Sequence, residues 1–320
     1  MEDRGFFVFV DRYDDLGVFH PCEVLNGARN ADGDVELWCH DFTSLANLPI
    51  IGCIARVNSG TRGANSRAEF VGQLLDDRSP MPPDIIAPRV LTPGGLLVLG
   101  GAPKVGKSDL LISWLVHMAA GVPFLGFTPP RALRIFYLQA EIQYHYLRER
   151  LQQIRLDAEI ITAALDNLVA TPKLRLLLDE RGLALAAASI QEHFPDAPPD
   201  IICLDPIRNL FDGGEEGSSE NDNAAMMFFL TERVERLREA VAPDCGVILA
   251  HHTKKMNRKM VAEDPFQALS GASALRGFYT SGLLMHRPDE DSTMRRLEIE
   301  LRNGPALPAK LIDRETGRWV

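Results

Sequence analysis

Long hydrophobic runs are missing from this sequence of 320 residues. No apolar stretch reaches the ~18 residues that a membrane-spanning helix needs. The first apolar stretch, FFVFV, is short and lies between acidic residues. The segment lacks both the basic region and the small-residue cleavage site of a signal peptide. The sequence therefore predicts a cytoplasmic protein.

Cysteine is also scarce, with only 5 residues in the chain. An odd number of cysteines in a chain of this length argues against a disulfide framework. Cys22, Cys39 and Cys53 lie near His20 and His40, a set that raises the question of a zinc site. Structural zinc sites usually contain a C-x₂₋₄-C pair, and none is present here. Buried thiols in a small β-rich unit are the favoured interpretation.

Positive charge falls short of negative charge, with 34 Lys and Arg against 44 Asp and Glu and a net charge of −10. A field of that sign repels nucleic acid. Any contact with nucleic acid must therefore depend on a local basic patch. The hydrophobic fraction of 46% is ordinary for a folded protein and excludes wholesale disorder.

The sequence pattern divides the chain into three regions. Residues 1–75 contain short strand patterns separated by Asp, Asn and Gly clusters, which predicts a small β-rich N-terminal domain. Residues 76–92 are rich in proline and predict an extended linker. Residues 93–320 alternate apolar strands with helical patterns, and their last two strand patterns predict a β-hairpin. This region is of the α/β class, with a mainly parallel sheet covered on both faces.

A phosphate-binding motif opens the third region. The stretch GAPKVGKS matches G-x-x-x-x-G-K-[ST], directly after a predicted strand and before a helix predicted to begin at Asp109. Glycines let backbone amides face the phosphates, and the helix dipole favours an anion there. We expect Lys107 to reach the β- and γ-phosphates and Ser108 to hold Mg²⁺. The predicted ATP-binding residues are Gly101, Ala102, Pro103, Lys104, Val105, Gly106, Lys107, Ser108 and Asp109.

Two acids follow predicted strands. Asp205 ends the apolar strand IICL and is expected to be the second Mg²⁺ ligand, as in Walker B motifs. Glu141 follows the strand after the P-loop helix, where a carboxylate can orient and deprotonate water.

Two adjacent histidines end another predicted strand. A polar group at this position could sense the γ-phosphate, but the residues alone leave open whether His251 or His252 does so. Neighbouring residues on a strand point to opposite faces, which disfavours a shared metal ion.

The order of these motifs resembles the RecA-like hexameric ATPases, most closely the RepA-type plasmid replicative helicases and more distantly the DnaB helicases. The resemblance covers residues 85–320. It rests on three stretches: Y-x-x-x-E from Tyr137 to Glu141, H-H-T-K from His251, and R-N-G-P from Arg302. It implies a RecA-like P-loop core, a ring that is expected to be a hexamer, Lys107 and Glu141 as catalytic groups, and His252 as the sensor. It also implies that Arg302 is a finger that reaches ATP bound to the neighbouring subunit.

Two departures affect that finger. DnaB-type proteins have a lysine two positions before the arginine, where this chain has Glu300. RepA-like proteins commonly carry R-G-S-S before Ala274, whereas here the stretch is S-G-A-S and Arg276 lies downstream. Arg276 and Arg287 therefore remain alternatives to Arg302.

The resemblance also implies that two loops face the channel of the ring. The first, residues 211–222, is acidic and suits phosphate poorly. The second, residues 254–260, is basic and predicts contact with single-stranded DNA, with a solvated surface loop as the alternative. Its four cations are Lys254, Lys255, Arg258 and Lys259.

The leading functional hypothesis is an ATP-driven DNA helicase or translocase in plasmid, phage or mobile-element replication. The alternative is a regulatory or scaffolding ATPase whose nucleotide state controls assembly with a protein partner. A nucleotide or small-molecule kinase is a third hypothesis. Glu141 and the predicted hairpin weaken it, because a kinase needs neither. The N-terminal unit could be an oligonucleotide-binding barrel or a partner-docking module.

Overall fold

The computed structural model describes most of the chain, which separates into two units, residues 1–62 and 63–320. Within residues 8–39 only the backbone is described. The described residues are 8–13, 19–29, 35–39, 71–172, 175–215, 217–254, 261, 263–269, 272–289 and 292–320.

The first unit contains a three-stranded antiparallel sheet in the order β1-β2-β3. Its strands are β1 (Val8–Tyr13), β2 (Phe19–Arg29) and β3 (Val35–Cys39). These strands match the β-rich pattern predicted for this region. The strand pattern IIGCIARV, residues 50–57, and the side chains considered for a zinc site lie outside what is described.

The second unit is built on an eight-stranded sheet in the order β11-β10-β9-β4-β8-β7-β5-β6. The run from β9 to β6 is parallel, and β10 and β11 add antiparallel strands at one edge. This confirms the predicted α/β class, mainly parallel sheet and hairpin. The strands are β4 (Leu96–Gly101), β5 (Ile135–Gln139), β6 (Leu168–Ala170), β7 (Ile201–Asp205), β8 (Gly246–His252), β9 (Ser281–His286), β10 (Arg295–Leu301) and β11 (Lys310–Ile312).

Helices cover both faces of this sheet. A π-helical segment, Phe229–Glu235, lies between two short α-helices. A 3₁₀ turn, Pro265–Ala268, follows β8. The α-helices are α1 (Val71–Asp76), α2 (Lys107–Ala120), α3 (Tyr144–Gln153), α4 (Ala158–Ala164), α5 (Glu180–His193), α6 (Ile207–Leu210), α7 (Asn223–Phe228), α8 (Arg236–Val241) and α9 (Ala272–Phe278).

The core consists of two apolar clusters, one on each face of the sheet. In β4, Leu97 and Leu99 pack with α2 in one cluster, and Leu96 and Val98 pack with α5 and α8 in the other. Successive strand residues point to opposite faces, so a strand buried on both sides must be apolar throughout. This explains the near-continuous apolar strands in the sequence.

Part of the segment predicted as a linker belongs to this core. Ile86, Val90 and Leu91 are fully buried, and Ile86 and Leu91 form a β-bridge. The linker prediction follows from the prolines and gives too little weight to the short apolar stretches between them. The domain boundaries at residues 75 and 92 stay a prediction.

None of the helices in the described ranges combines the length and the apolar character of a membrane-spanning segment. Cys203 and Cys245, the two cysteines whose side chains are described, are buried free thiols. Burial raises the pKa of Cys245 to about 12.

Candidate active site

The P-loop connects β4 to α2 through two left-handed residues, Lys104 (φ 64°) and Gly106 (φ 104°). A Cβ at Gly106 would also lie 3.3 Å from the Trp319 ring, so glycine satisfies both a positive φ and a close approach. Helix α2 begins at Lys107, earlier than the predicted start at Asp109. Its first amides are therefore available to an anion at the loop.

A cavity of about 730 Å³ opens at the carboxyl ends of the parallel strands, beside the P-loop. Most of the predicted site residues line it. These are Ala102, Pro103, Lys104, Gly106, Lys107, Ser108, Asp109, Glu141 and His252. Gly101 and Val105, also predicted, are buried parts of the same loop. The sequence did not single out the other lining residues, which are Ile142, Gln143, Tyr146, Arg150, Gln153 and Arg314.

Lys107 and Asp205 form a buried pair beside this cavity. Their side chains are 4% and 2% exposed, and Lys107 Nζ lies 3.9 Å from Asp205 Oδ1. Neither of these two atoms makes a hydrogen bond. Buried polar atoms are almost always bonded, so this pair suits ligands that complete it. A phosphate oxygen fits Lys107, and Mg²⁺ or its water fits Asp205 and the hydroxyl of Ser108, which lines the cavity.

Tyr137 fixes the other oxygen of Asp205. The phenol hydroxyl of Tyr137, on β5, donates to Asp205 Oδ2 over 2.6 Å. Burial, reinforced by the charge of Asp205, raises the pKa of Tyr137 well above its usual value. The hydroxyl therefore stays protonated and remains a donor. In the sequence, Tyr137 stands out only as the first residue of Y-x-x-x-E.

The backbone that carries Glu141 is held by Gln139, which is fully buried. With the Gln139 amide oriented to satisfy its neighbours, its oxygen accepts from the N–H groups of Glu141 (3.0 Å) and Ile142, and its nitrogen donates to Ile142 O (2.9 Å). Glu141 itself is exposed and lines the cavity. A carboxylate in that position can orient a water molecule and accept its proton. Gln139 carries no motif signal in the sequence.

The two histidines at the end of β8 differ in environment. His251 is fully buried, whereas His252 is only partly buried and lines the cavity. Burial, followed by the charge of Lys107, lowers the pKa of His252. The imidazole is therefore neutral near pH 7 and available to bond a phosphate or water. This arrangement favours His252 over His251 as the sensor.

Arg302 is not brought to this cavity. It follows β10, where Leu301 pairs with Ser281 of β9, and Ser281 pairs with Leu97 near the start of β4. The P-loop begins at the other end of β4, about 13 Å away at ~3.3 Å per residue. Arg302 Nη2 instead donates to Gly277 O over 2.7 Å. Within one chain, Arg302 and the nucleotide cavity lie at opposite ends of the sheet.

The alternative arginines have different positions. Arg276 is held by two carboxylates, with Nη1 2.7 Å from Asp264 Oδ2 and Nη2 2.6 Å from Glu300 Oε2. The hydrogen bonds that Arg276 donates to Glu300, and then those to Asp264, raise the pKa of Arg276. Glu300, where the resemblance expects a lysine, is thus an ion-pair partner of Arg276. Because its guanidinium is already engaged, Arg276 is a poor candidate for the arginine finger. Arg287 is exposed just after β9, at the P-loop end.

Of the predicted DNA-binding residues, only Lys254 is described. It is exposed, and its backbone N–H donates to Ala268 O over 2.7 Å. Lys255, Arg258 and Lys259 lie outside the described residues. In the acidic loop, Asp212 Oδ2 accepts from Arg233 Nε over 2.8 Å.

The likeness to known proteins is one of fold. The ATPase domain of the protein G-40P is 11% identical over 78% of this chain and 95% of that chain, with a TM-score of 0.53. The KaiC-like protein PH0186 from Pyrococcus horikoshii OT3 is also 11% identical, over 71% and 89%, with a TM-score of 0.48. No curated protein matches the chain. The fold is that of a RecA-like P-loop ATPase.

Residues 64–258 match the family model of an AAA domain, AAA_25. The match spans the P-loop, Glu141, Asp205 and both histidines. Because it covers more than half of the sequence, the chain belongs to this AAA domain family.

Proposed function

We propose that the chain hydrolyses ATP as a ring-forming motor, and that it is a DNA helicase or translocase of the RepA-like kind. One cavity carries the proposal: the P-loop, Lys107, Glu141 and His252 line it, and Lys107 Nζ lies 3.9 Å from the unbonded Oδ1 of the buried Asp205. These are the groups that phosphoryl transfer to water requires.

Each group has a distinct task. The P-loop amides and Lys107 bind the β- and γ-phosphates. Ser108 and Asp205 hold Mg²⁺, which when bound neutralises charge on those phosphates. Glu141 orients the attacking water and accepts its proton. His252, neutral at working pH, contacts the γ-phosphate and transmits its presence to the loop after β8.

The position of Arg302 supports a site shared between subunits. A cation at the far end of the sheet cannot assist its own nucleotide, but it can serve the cavity of a neighbour in a closed ring. A finger supplied in this way contributes on the order of 10³-fold to hydrolysis. A hexamer follows from the resemblance stated above.

Single-stranded DNA is the proposed substrate along which the ring moves. Six copies of the loop that carries Lys254, Lys255, Arg258 and Lys259 would concentrate positive charge around a channel, although each subunit is acidic overall. ATP hydrolysis at successive interfaces would then move these loops along the strand, as replication of a plasmid, phage or mobile element requires.

A regulatory or scaffolding ATPase is the second candidate. Two observations favour it: the net charge of −10 and the replacement of the finger's neighbouring cation by Glu300, which binds Arg276 instead. In this case nucleotide state would control assembly with a protein partner, through the N-terminal unit for example, without movement on DNA.

The ATPase rate with and without single-stranded DNA separates the two candidates. We expect stimulation that disappears when the four loop cations become alanine, with basal hydrolysis retained. A matched control replaces four exposed arginines elsewhere, Arg131, Arg175, Arg181 and Arg236. The control should keep its stimulation and its steep salt dependence of DNA binding. Absence of both stimulation and DNA binding at low salt in the unmodified protein would exclude the motor and favour the regulatory ATPase.

A further inference from the structure

A short hairpin outside the main sheet lies against the P-loop. Its strands are β12 (Arg314–Glu315) and β13 (Arg318–Trp319), paired antiparallel. Backbone bonds between Asp313 and Val320, at 3.1 and 3.0 Å, close its open end. None of the motifs that predict the ATP site includes this segment.

Trp319 makes the closest approach to the loop. Its ring atoms lie 3.3 and 3.4 Å from the position that a Cβ would take at Gly106, and its side chain is buried in the same apolar cluster as Val105. Its indole Nε1 donates to Asp109 Oδ2 over 3.1 Å. Glycine can adopt more backbone conformations than any other residue. A ring packed against Gly106 therefore restricts the conformations that the loop can adopt.

Arg314 acts on the same carboxylate from the cavity side. Its Nε lies 3.3 Å from Asp109 Oδ2, and its side chain lines the nucleotide cavity. One oxygen of Asp109 therefore receives an indole N–H and a guanidinium. The carboxylate that the sequence assigns to nucleotide binding is already occupied by the short hairpin.

The hairpin is anchored at its other end as well. Arg318 Nη2 lies 2.8 Å from Asp157 Oδ1, in an exposed ion pair just before α4. Gly317, at φ 85°, packs close to Arg155, whose Cγ would be 2.9 Å from a Cβ there. The hairpin thus spans from the P-loop to the segment between α3 and α4.

We propose that Trp319 and Arg314 are positioning residues that preorganise the P-loop for nucleotide, through Gly106 and Asp109. The inference rests on the proposed ATPase function and assigns the short hairpin to its site. A loop held in its binding conformation before the nucleotide arrives loses less conformational freedom on binding. Loss of the contacts should therefore weaken nucleotide affinity more than it slows the chemical step.

Three variants test this in the full chain. Trp319→Ala removes the ring and the N–H, Trp319→Phe keeps a ring and removes only the N–H, and Arg314→Ala removes the guanidinium. Arg318→Ala is the matched control, because Arg318 lies on the same hairpin but pairs with Asp157. The measurements are the Kd of Mg²⁺-ATP, the KM and kcat of hydrolysis, and Tm.

For Trp319→Ala we expect the Kd and KM to rise roughly tenfold while kcat changes less than about twofold, the pattern of lost uniform binding. Trp319→Phe and Arg314→Ala should show smaller rises in the same direction. Arg318→Ala should show none, because its exposed ion pair contributes little to holding the hairpin. The double variant Asp109→Ala, Trp319→Phe should have the same Kd as Asp109→Ala alone. Both substitutions remove the same hydrogen bond, from Trp319 Nε1 to Asp109 Oδ2.

An unchanged Kd in both Trp319 variants would overturn the inference, and so would equal losses of affinity in Arg318→Ala. Failure of the proposed function looks different. In that case the unmodified chain would not bind Mg²⁺-ATP, or Lys107→Ala would bind it equally well.

Discussion

The two ends of the sheet around β4 use their charged groups in opposite ways. At the P-loop end, Lys107 Nζ and Asp205 Oδ1 are buried, 3.9 Å apart and without hydrogen bonds. At the other end, Arg276 is bonded to Asp264 and Glu300, and Arg302 caps the carbonyl groups that end α9.

The difference shows which end is built to receive a ligand. A buried ion that lacks hydrogen bonds costs free energy, and such groups concentrate at functional sites. Charges that satisfy one another within the chain instead fix its shape. The far end therefore presents Arg302 from a rigid support, and under the proposed function Arg302 serves the cavity of a neighbouring subunit.

The largest expected effect tests whether Arg302, at the far end, serves the P-loop end of a neighbouring subunit. Arg302→Ala should lower kcat by on the order of 10³-fold, the contribution of a finger supplied by a neighbour. Nucleotide affinity of the separate subunit should not change. Mixing Arg302→Ala subunits with inactive Lys107→Ala subunits should restore hydrolysis, because some interfaces then combine an intact P-loop with an intact Arg302. The ATPase rate as a function of the mixing ratio measures this.

Arg276→Ala serves as the control for that experiment, since its guanidinium is engaged within the chain. A fully active Arg302→Ala protein, or mixtures that stay as inactive as their components, would show that the two ends do not share a site.

A smaller effect tests the P-loop end. Tyr137→Phe removes the 2.6 Å bond to Asp205 and leaves that oxygen unpaired, a loss of about 1.5–3 kcal/mol for a bond to a charged group. We expect hydrolysis to fall by roughly tenfold and the Mg²⁺ concentration for half-maximal rate to rise. A Mg²⁺ titration of the ATPase rate measures both.

Tyr279→Phe is the matched substitution at the far end, because Tyr279 donates to Glu300 over 3.2 Å. It should leave the Mg²⁺ dependence unchanged. Equal shifts in the two variants would mean that neither tyrosine acts specifically through a Mg²⁺ ligand.

The smallest effect concerns the stability of the far end. Arg276→Ala should lower the free energy of unfolding by about 1 kcal/mol, the upper range for a pair that solvent screens. Arg276 is more than a third exposed, which keeps the loss small. Chemical denaturation measures this loss, and nucleotide affinity should stay unchanged.

The pH dependence of that loss has a definite sign. Burial opposes the shift, but the hydrogen bond and charge of Arg276, together with hydrogen bonds from Gln267 and the Phe266 N–H, lower the pKa of Asp264. The pair therefore stabilises the fold above the ordinary aspartate pKa of about 3.9 and loses this contribution as the pH falls below it. The gap between the variant and the unmodified chain should shrink there, and a gap that widened in acid would contradict the pairing.

Features that depend on one strand and its end could be predicted from sequence. The parallel strands are apolar at every position because both faces are covered, and the P-loop, Glu141, Asp205 and the histidine pair each follow such a strand. Since the carboxyl ends of parallel strands share one edge of the sheet, these residues meet. The strand pattern alone does not separate His252 from His251; the resemblance to the helicases favours His252, and the burial of His251 agrees with it.

Features that depend on contacts between distant segments could not be predicted. Trp319 and Asp109 are 210 residues apart, and no local pattern links them. The hydrogen bond of Tyr137 to Asp205 depends on the pairing of β5 with β7, which the sequence does not show. The engagement of Arg276 by Glu300 likewise depends on β10 and α9 packing together.

The position of Trp319 gives the molecule an optical property. Indole emission responds to the polarity of its surroundings, and this ring touches the glycine at which the phosphate-binding loop enters its helix. Trp114, by contrast, is 1% exposed in the core. With Trp38 and Trp114 replaced by phenylalanine, the fluorescence of Trp319 can therefore follow the state of the P-loop without an added label.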